Sequence, residues 1–102
     1  MKTFIVDVDG TICQNTYGKY ENAKPFEERI KFFNDLYDEG NRIIYWTARG
    51  GTSNIDWTEL TNKQLNEWGV KASEIRMKKP SYDYWIDDKS YNVESFFKEK
   101  YF

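Results

Sequence analysis

In Lys2-Thr3-Phe4-Ile5-Val6-Asp7-Val8-Asp9-Gly10-Thr11, Phe4-Ile5-Val6 is a short apolar, β-branched run that stops at an acidic Gly-Thr turn. That pattern is the one a fully buried strand leaves in sequence, and it sets strand one at residues 2–8. Downstream, residues 9–24 show no sustained period and are rich in turn formers, which predicts a loop or flap. From Pro25, a good first helical residue, Phe26, Ile30, Phe33 and Tyr37 recur at helical spacing, and Gly40 stands where a helix stops. Arg42-Ile43-Ile44-Tyr45-Trp46 reads as strand two and ends at Thr47, with a loop over residues 48–54.

Asp56 with Glu59 three residues on resembles a capping box. It opens a helix over residues 57–68 whose face carries Trp57, Leu60 or Thr61, Leu65 and Trp68, with Gly69 as its stop. Residues 74–78 and 83–87 are extended candidates, and Val93, Phe96, Phe97 and Tyr101 suggest a terminal helix. This alternation predicts an α/β fold, a compact Rossmann-like parallel sheet flanked by helices. In such sheets ligands sit beyond the carboxyl ends of the strands. Asp7 and Asp9, Thr47, and Asp87 with Asp88 all fall at those ends, so the expectation is that they meet on one edge.

Composition narrows the function. The chain has 102 residues, room for the single domain expected over 1–102, and 19% are aromatic, which favours a small but dense core. Fifteen basic against seventeen acidic side chains give a net charge of −2, which argues against a nucleic-acid partner. The absence of histidine excludes any histidine base or ligand. One cysteine, Cys13, no apolar leader after Met1-Lys2-Thr3 and no membrane-length apolar run point to a soluble cytoplasmic protein.

The acids define the chemistry. Asp7 and Asp9 point the same way along an extended chain, and the Gly10 turn can swing Asp9 over whatever Asp7 touches. Adding Asp87 and Asp88 would put up to four carboxylates in one pocket, whose repulsion calls for a hard divalent cation. Oxygen ligands without histidine favour Mg²⁺ over Zn²⁺. Lys78-Lys79-Pro80 supplies a cation suited to a phosphoryl group, and Thr47 a hydroxyl donor. Taken singly, each motif also reads as turn or cap chemistry; their order is what distinguishes them.

Asp-x-Asp-Gly-Thr on the first strand, Thr ending the second, Lys-Pro, and Asp-Asp after a short apolar strand resemble, in order and position, the four motifs of the haloacid dehalogenase superfamily of phosphohydrolases. Tyr45-Trp46-Thr47-Ala48-Arg49, Trp68-Gly69-Val70, Lys79-Pro80 with Tyr82-Asp83, and Ile86-Asp87-Asp88-Lys89 look like a small capless group of capsule or polysaccharide biosynthesis phosphatases, some carried by phages. The resemblance implies Asp7 as nucleophile and metal ligand, and Asp9 as acid/base that also offers its carbonyl to Mg²⁺. It implies Thr47 holding a phosphoryl oxygen, Lys79 neutralising charge, and Asp87 ligating the metal with Asp88 in support. The choices of Lys79 over Lys78, and of Asp87 over Asp88, are preferences.

The segments 11–24 and 48–78 leave no room for a cap domain, so an open site is expected, covered only by the flap or by a second copy of the chain. The expected substrate is a small phosphorylated molecule, a sugar or polyol phosphate before a nucleotide or polynucleotide 3′-phosphate. Two other classes compete: a phospho-acceptor signalling module, which would place its paired acids and acceptor in a different strand order, and a non-catalytic metal- or phosphate-binding module.

Overall fold

The computed structural model describes residues 1–51 and 53–101, with side chains to residue 98. Three parallel strands form the sheet in the order of the chain: β1 (Thr3–Val6), β2 (Arg42–Trp46) and β3 (Glu74–Arg76). Thr3 stands opposite Arg42 and Val6 opposite Tyr45, while Ile44 pairs with Glu74 and Trp46 with Arg76. Strand β2 is central, and Ile43, Ile44 and Tyr45 are all buried, because a parallel strand between two neighbours is covered on both faces. Strand β1 is an edge among the described residues, and it alternates instead: Val6 is buried while Ile5 is 62% exposed.

Two helices make the crossovers that parallel strands require, α1 (Glu27–Asp38) and α2 (Thr58–Glu67). Ile30 and Phe33 turn inward from α1, Leu65 and Thr61 from α2. Glu27 and Glu28 favour the start of α1 by facing its positive end. Both helices stop at the glycine expected. Gly40 and Gly69 take φ of +98° and +72°, and the amides of Gly40 and Asn41, or Gly69 and Val70, bond back to carbonyls of the last turn. Just ahead of α2, the Asp56 carboxylate accepts from the Thr58 amide at 2.9 Å, while the capping position itself falls on Trp57, which makes no side-chain cap bond, so the expected capping box is not formed.

The C-terminal residues are helical as expected, α3 (Val93–Ser95) running into a wider-wound segment, Phe96–Tyr101. Phe96 and Phe97 pack edge-on against Phe32, with centroids at 5.8 and 5.6 Å, and Phe97 lies edge-on to Phe33 at 5.7 Å. Arg29 pins this aromatic cluster, its guanidinium 4.8 Å from the Phe97 ring while it donates to the Thr11 carbonyl at 3.2 Å. The flap is closed at its neck, where the Gln14 amide bonds the Lys24 carbonyl and the Phe26 amide the Ile12 carbonyl. Within it, Tyr20–Asn22 form one tight helical turn. The architecture is a compact α/β fold with helices flanking a parallel sheet, and no cap is present among the described residues. None of its helices is long and apolar enough to cross a membrane, among the residues described.

One expected strand is not formed. Residues 83–87 do not join the sheet. Tyr84 and Ile86 are 85% and 94% exposed, whereas Trp85 turns back so that its ring meets Trp46 edge-on at 6.1 Å. The segment is held by this ring contact and by a turn at Asp87, not by a backbone ladder. Likewise β3 is shorter than the expected 74–78: Lys78 takes φ of +58°, which no strand accommodates.

The Tyr45 side chain is fully buried, and its hydroxyl has no hydrogen-bond partner among the described residues. An orphaned buried hydroxyl costs about 1–3 kcal/mol. Tyr45→Phe is therefore expected to raise stability by about 1 kcal/mol, read as a higher urea midpoint with an unchanged slope. A lower midpoint would show that this hydroxyl has a partner after all.

Candidate active site

The chain leaves β1 at Val6 and places Asp7 just beyond the strand's carboxyl end. A tight loop follows, in which the amides of Thr11 and Ile12 both donate to the Val8 carbonyl and the Gly10 amide to the Cys13 carbonyl. Gly10 sits at φ +87°, which a side chain would resist, so the turn that carries Asp9 depends on glycine. One Asp7 oxygen accepts from the Thr11 hydroxyl at 3.1 Å. Burial pushes the Asp7 carboxyl above its ordinary value; the Lys79 ammonium, the Thr11 hydroxyl and the Val8 amide oppose that rise, and Asp9 adds to it.

Asp9 is held differently. Its Oδ2 accepts from Nε of Arg49 at 2.9 Å and its Oδ1 from a terminal guanidinium nitrogen at 2.8 Å, a two-pronged ion pair. The Cys13 thiol lies 3.5 Å from Oδ1, and burial raises that thiol to about 12, so it stays protonated and acts as a weak donor. Arg49 is buried, and its remaining terminal nitrogen donates to the Thr61 hydroxyl at 3.1 Å and the Gln64 side-chain carbonyl at 2.6 Å. Both acceptors face inward from α2.

Thr47 directly follows β2 and is fully buried. Its carbonyl accepts from the Lys79 amide at 2.8 Å and its hydroxyl oxygen from the Arg49 amide at 3.2 Å, which leaves its own O–H to be offered as a donor. The first of these bonds fixes Lys79 against the second strand's end. Gly51 lets the backbones come together there, since a Cβ on it would sit 2.9 Å from the Lys79 carbonyl and 3.0 Å from that of Ala48. The Lys79 ammonium lies 5.3 and 5.0 Å from the ring centres of Tyr82 and Trp85. Lys78 faces elsewhere: its charge acts on Asp56.

Asp7, Asp9, Thr47 and Lys79 thus share the carboxyl edge of the sheet. The other expected pair does not join them. Asp87 and Asp88 lie in an exposed turn, where the Lys89 amide donates to Asp87 at 3.0 Å and holds its carboxyl below the ordinary range. Among the described residues no three Asp, Glu, Cys or His side chains gather as a metal-holding group, so the convergence of four carboxylates is not formed. Its physical reason is the missing strand at 83–87, which alone would carry Asp87 to that edge. Asp7 offers hard oxygen to a cation such as Mg²⁺, and Asp9, whose carboxylate oxygens are both on Arg49, retains the main-chain carbonyl that the resemblance assigns to the metal. With Asp87 and Asp88 in their exposed turn, the expected Mg²⁺ ligands are not all gathered at this edge.

The sequence reading assigns no role to Arg49, Thr61, Gln64 or Tyr20. A signal for Arg49 was present in its position two residues beyond a strand-ending threonine, but the Gly50-Gly51 that follows makes it look like loop. Nothing local marks Thr61 and Gln64, which read as ordinary helix residues until their partner is known.

No family model and no curated protein matches the chain. Solved structures share its fold, and two of them are similar along nearly all of this chain. A crystal structure of a target protein from Vibrio cholerae superposes with a TM-score of 0.82 at 28% identity, covering 96% of this chain and 89% of that one. A chain of the Pnkp1/Rnl/Hen1 complex superposes with a TM-score of 0.62 at 17% identity, covering 97% of this chain but 34% of the other.

Because burial raises the Asp7 carboxyl, its ionised form is disfavoured in the folded protein and burdens stability at neutral pH. The burden is absent below the ordinary value of 3.8 and complete above the raised one. Asp7→Asn is accordingly expected to melt higher than the parent at pH 7 in EDTA, with the gap closing as the pH falls through that interval. A lower melting temperature at pH 7 would contradict the placement of Asp7 in a desolvated pocket.

Proposed function

We propose that this chain is a phosphomonoester hydrolase that works through an aspartyl phosphate on Asp7. The observation that carries the reading is the Asp7 carboxylate itself, desolvated at the end of β1 with the Lys79 charge beside it and a second carboxylate two residues on. An Asp7 oxygen attacks phosphorus as the bond to the leaving oxygen breaks, and that oxygen takes a proton from Asp9, which carries it on one oxygen while the other stays on Arg49. Water then attacks the phosphorus of the acyl phosphate, gives a proton back to Asp9 and frees the Asp7 carboxylate with inorganic phosphate. Lys79 offsets charge on the phosphoryl oxygens, and the Thr47 O–H donates to one of them.

The fold shared with the two solved structures and the motif resemblance to haloacid dehalogenase phosphohydrolases support this reading, as does the arrangement of catalytic types at one sheet edge. Mg²⁺ belongs to the proposal as the cation the resemblance implies. Asp7 and the Asp9 main-chain carbonyl would hold it together with Asp87, Asp88 or both, which requires that pair to leave its exposed turn. The substrate we favour is a sugar or polyol phosphate: the site has no cap, and the half-exposed rings of Tyr82 and Trp85 beside Lys79 give such a leaving group a face to rest on. A net charge of −2 weighs against a polynucleotide 3′-phosphate, whose binding draws on basic groups.

Phosphate release from a panel of sugar, polyol, nucleotide and aryl phosphates tests the reading. Turnover is expected with Mg²⁺, lost in EDTA, restored by readdition, and reduced to background in a folded Asp7→Asn protein. Undiminished turnover by Asp7→Asn would remove the mechanism, and undiminished turnover in EDTA would remove Mg²⁺ from it.

A further inference from the structure

Arg49 is the only charged side chain that is buried among the described residues, and the reaction as proposed gives it nothing to do. Four of its hydrogen bonds are accounted for by Asp9, Thr61 and Gln64, and its guanidinium carbon lies 4.6 Å from the ring centre of Tyr20. Gln64 also donates to the Tyr20 carbonyl at 2.7 Å, so this flap residue is held by backbone and by ring to the same assembly. Tyr20 in turn stands edge-on to Trp57 at 5.0 Å, just ahead of α2. The pair meets solvent only at its acidic end, where the Asp9 side chain is 15% exposed and that of Arg49 not at all.

We infer that Arg49 is a positioning residue for Asp9: its fork, anchored on α2 and covered by Tyr20, fixes the direction in which the Asp9 carboxylate faces the reacting phosphoryl group. The inference rests on the hydrolase reading above. Asp9 sits on a glycine turn with two free side-chain torsions, so its direction is not set by its own backbone. A planar fork that takes both carboxylate oxygens removes both torsions at once, which a point charge does not do. Proton transfer to a leaving oxygen needs that alignment, one Asp9 oxygen staying on the guanidinium while the other carries the proton, and a misplacement of about 1 Å can cost about 10²-fold in rate. A pair kept only for stability would not need it, since a buried ion pair is often replaceable by apolar side chains without loss.

Arg49→Lys keeps the charge and loses the fork. Its kcat on an alkyl phosphate is expected to fall about 10–100-fold with KM little changed. On p-nitrophenyl phosphate, whose leaving group scarcely needs a proton, the fall should be much smaller. Guanidinium ion added to Arg49→Ala should recover part of the alkyl phosphate rate and leave the aryl rate alone. If neither Arg49 variant melts cooperatively, Gln64→Met carries the test, because it loosens the fork's anchor and releases Tyr20; the same contrast between esters is expected. Equal losses on both esters, a change in KM alone, or no loss at all would each overturn the role of Arg49 while leaving the hydrolase reading in place. A wild-type protein that hydrolyses neither ester would overturn that reading, and the role of Arg49 with it.

Discussion

The guanidinium of Arg49 is the point on which the carboxyl edge of this sheet is assembled. Desolvating such a charge costs several kcal/mol, and only good geometry with all partners present offsets it. Here the partners come from three separate stretches: Asp9 from the loop after β1, Thr61 and Gln64 from α2, and the ring of Tyr20 from the flap. Arg49 itself follows β2, so segments far apart in sequence must all arrive before its charge is satisfied. Removing one partner of a buried charge pair typically costs about 3–5 kcal/mol, a large share of a small domain's stability. The loop that carries Asp9 and the flap above it are therefore ordered by the same group.

From that anchor the site builds outward in a definite order. Strand β2 delivers Thr47, whose carbonyl fixes the Lys79 backbone. Gly51 makes room for that approach. The Lys79 charge then acts on Asp7, and its ammonium lies near the rings of Tyr82 and Trp85. In the proposed reaction these rings would border a phosphate ester with a ring-shaped leaving group. With no cap among the described residues, the ester's far end would stay in solvent, and selectivity would fall to this aromatic border and to the flap.

Much of this was legible in the sequence, for identifiable reasons. The apolar run Ile43-Ile44-Tyr45 announces a doubly covered strand, and Gly40 and Gly69 end their helices in the left-handed conformation that favours glycine. Asp7 and Asp9 were legible because they sit at the end of such a run beside a glycine turn. The segment 83–87 was not: its composition reads as strand, but the contact of Trp85 with Trp46 competes with a place in the sheet. Asp87 and Asp88 were misplaced with it. Arg49 went unread because a long-range ion pair leaves no periodic trace, and its acceptors on α2 look like any polar helix residues.

The central claim is that Asp7 becomes covalently phosphorylated, and it can be tested on the residue itself. Protein quenched during turnover of a small phosphate ester and reduced with borohydride would convert an acyl phosphate to an alcohol, readable by peptide mass spectrometry. The account predicts homoserine at position 7 only when substrate is present, with Asp9, Asp87 and Asp88 unmodified. Reduction at another carboxylate, or none at all during active turnover, would contradict it.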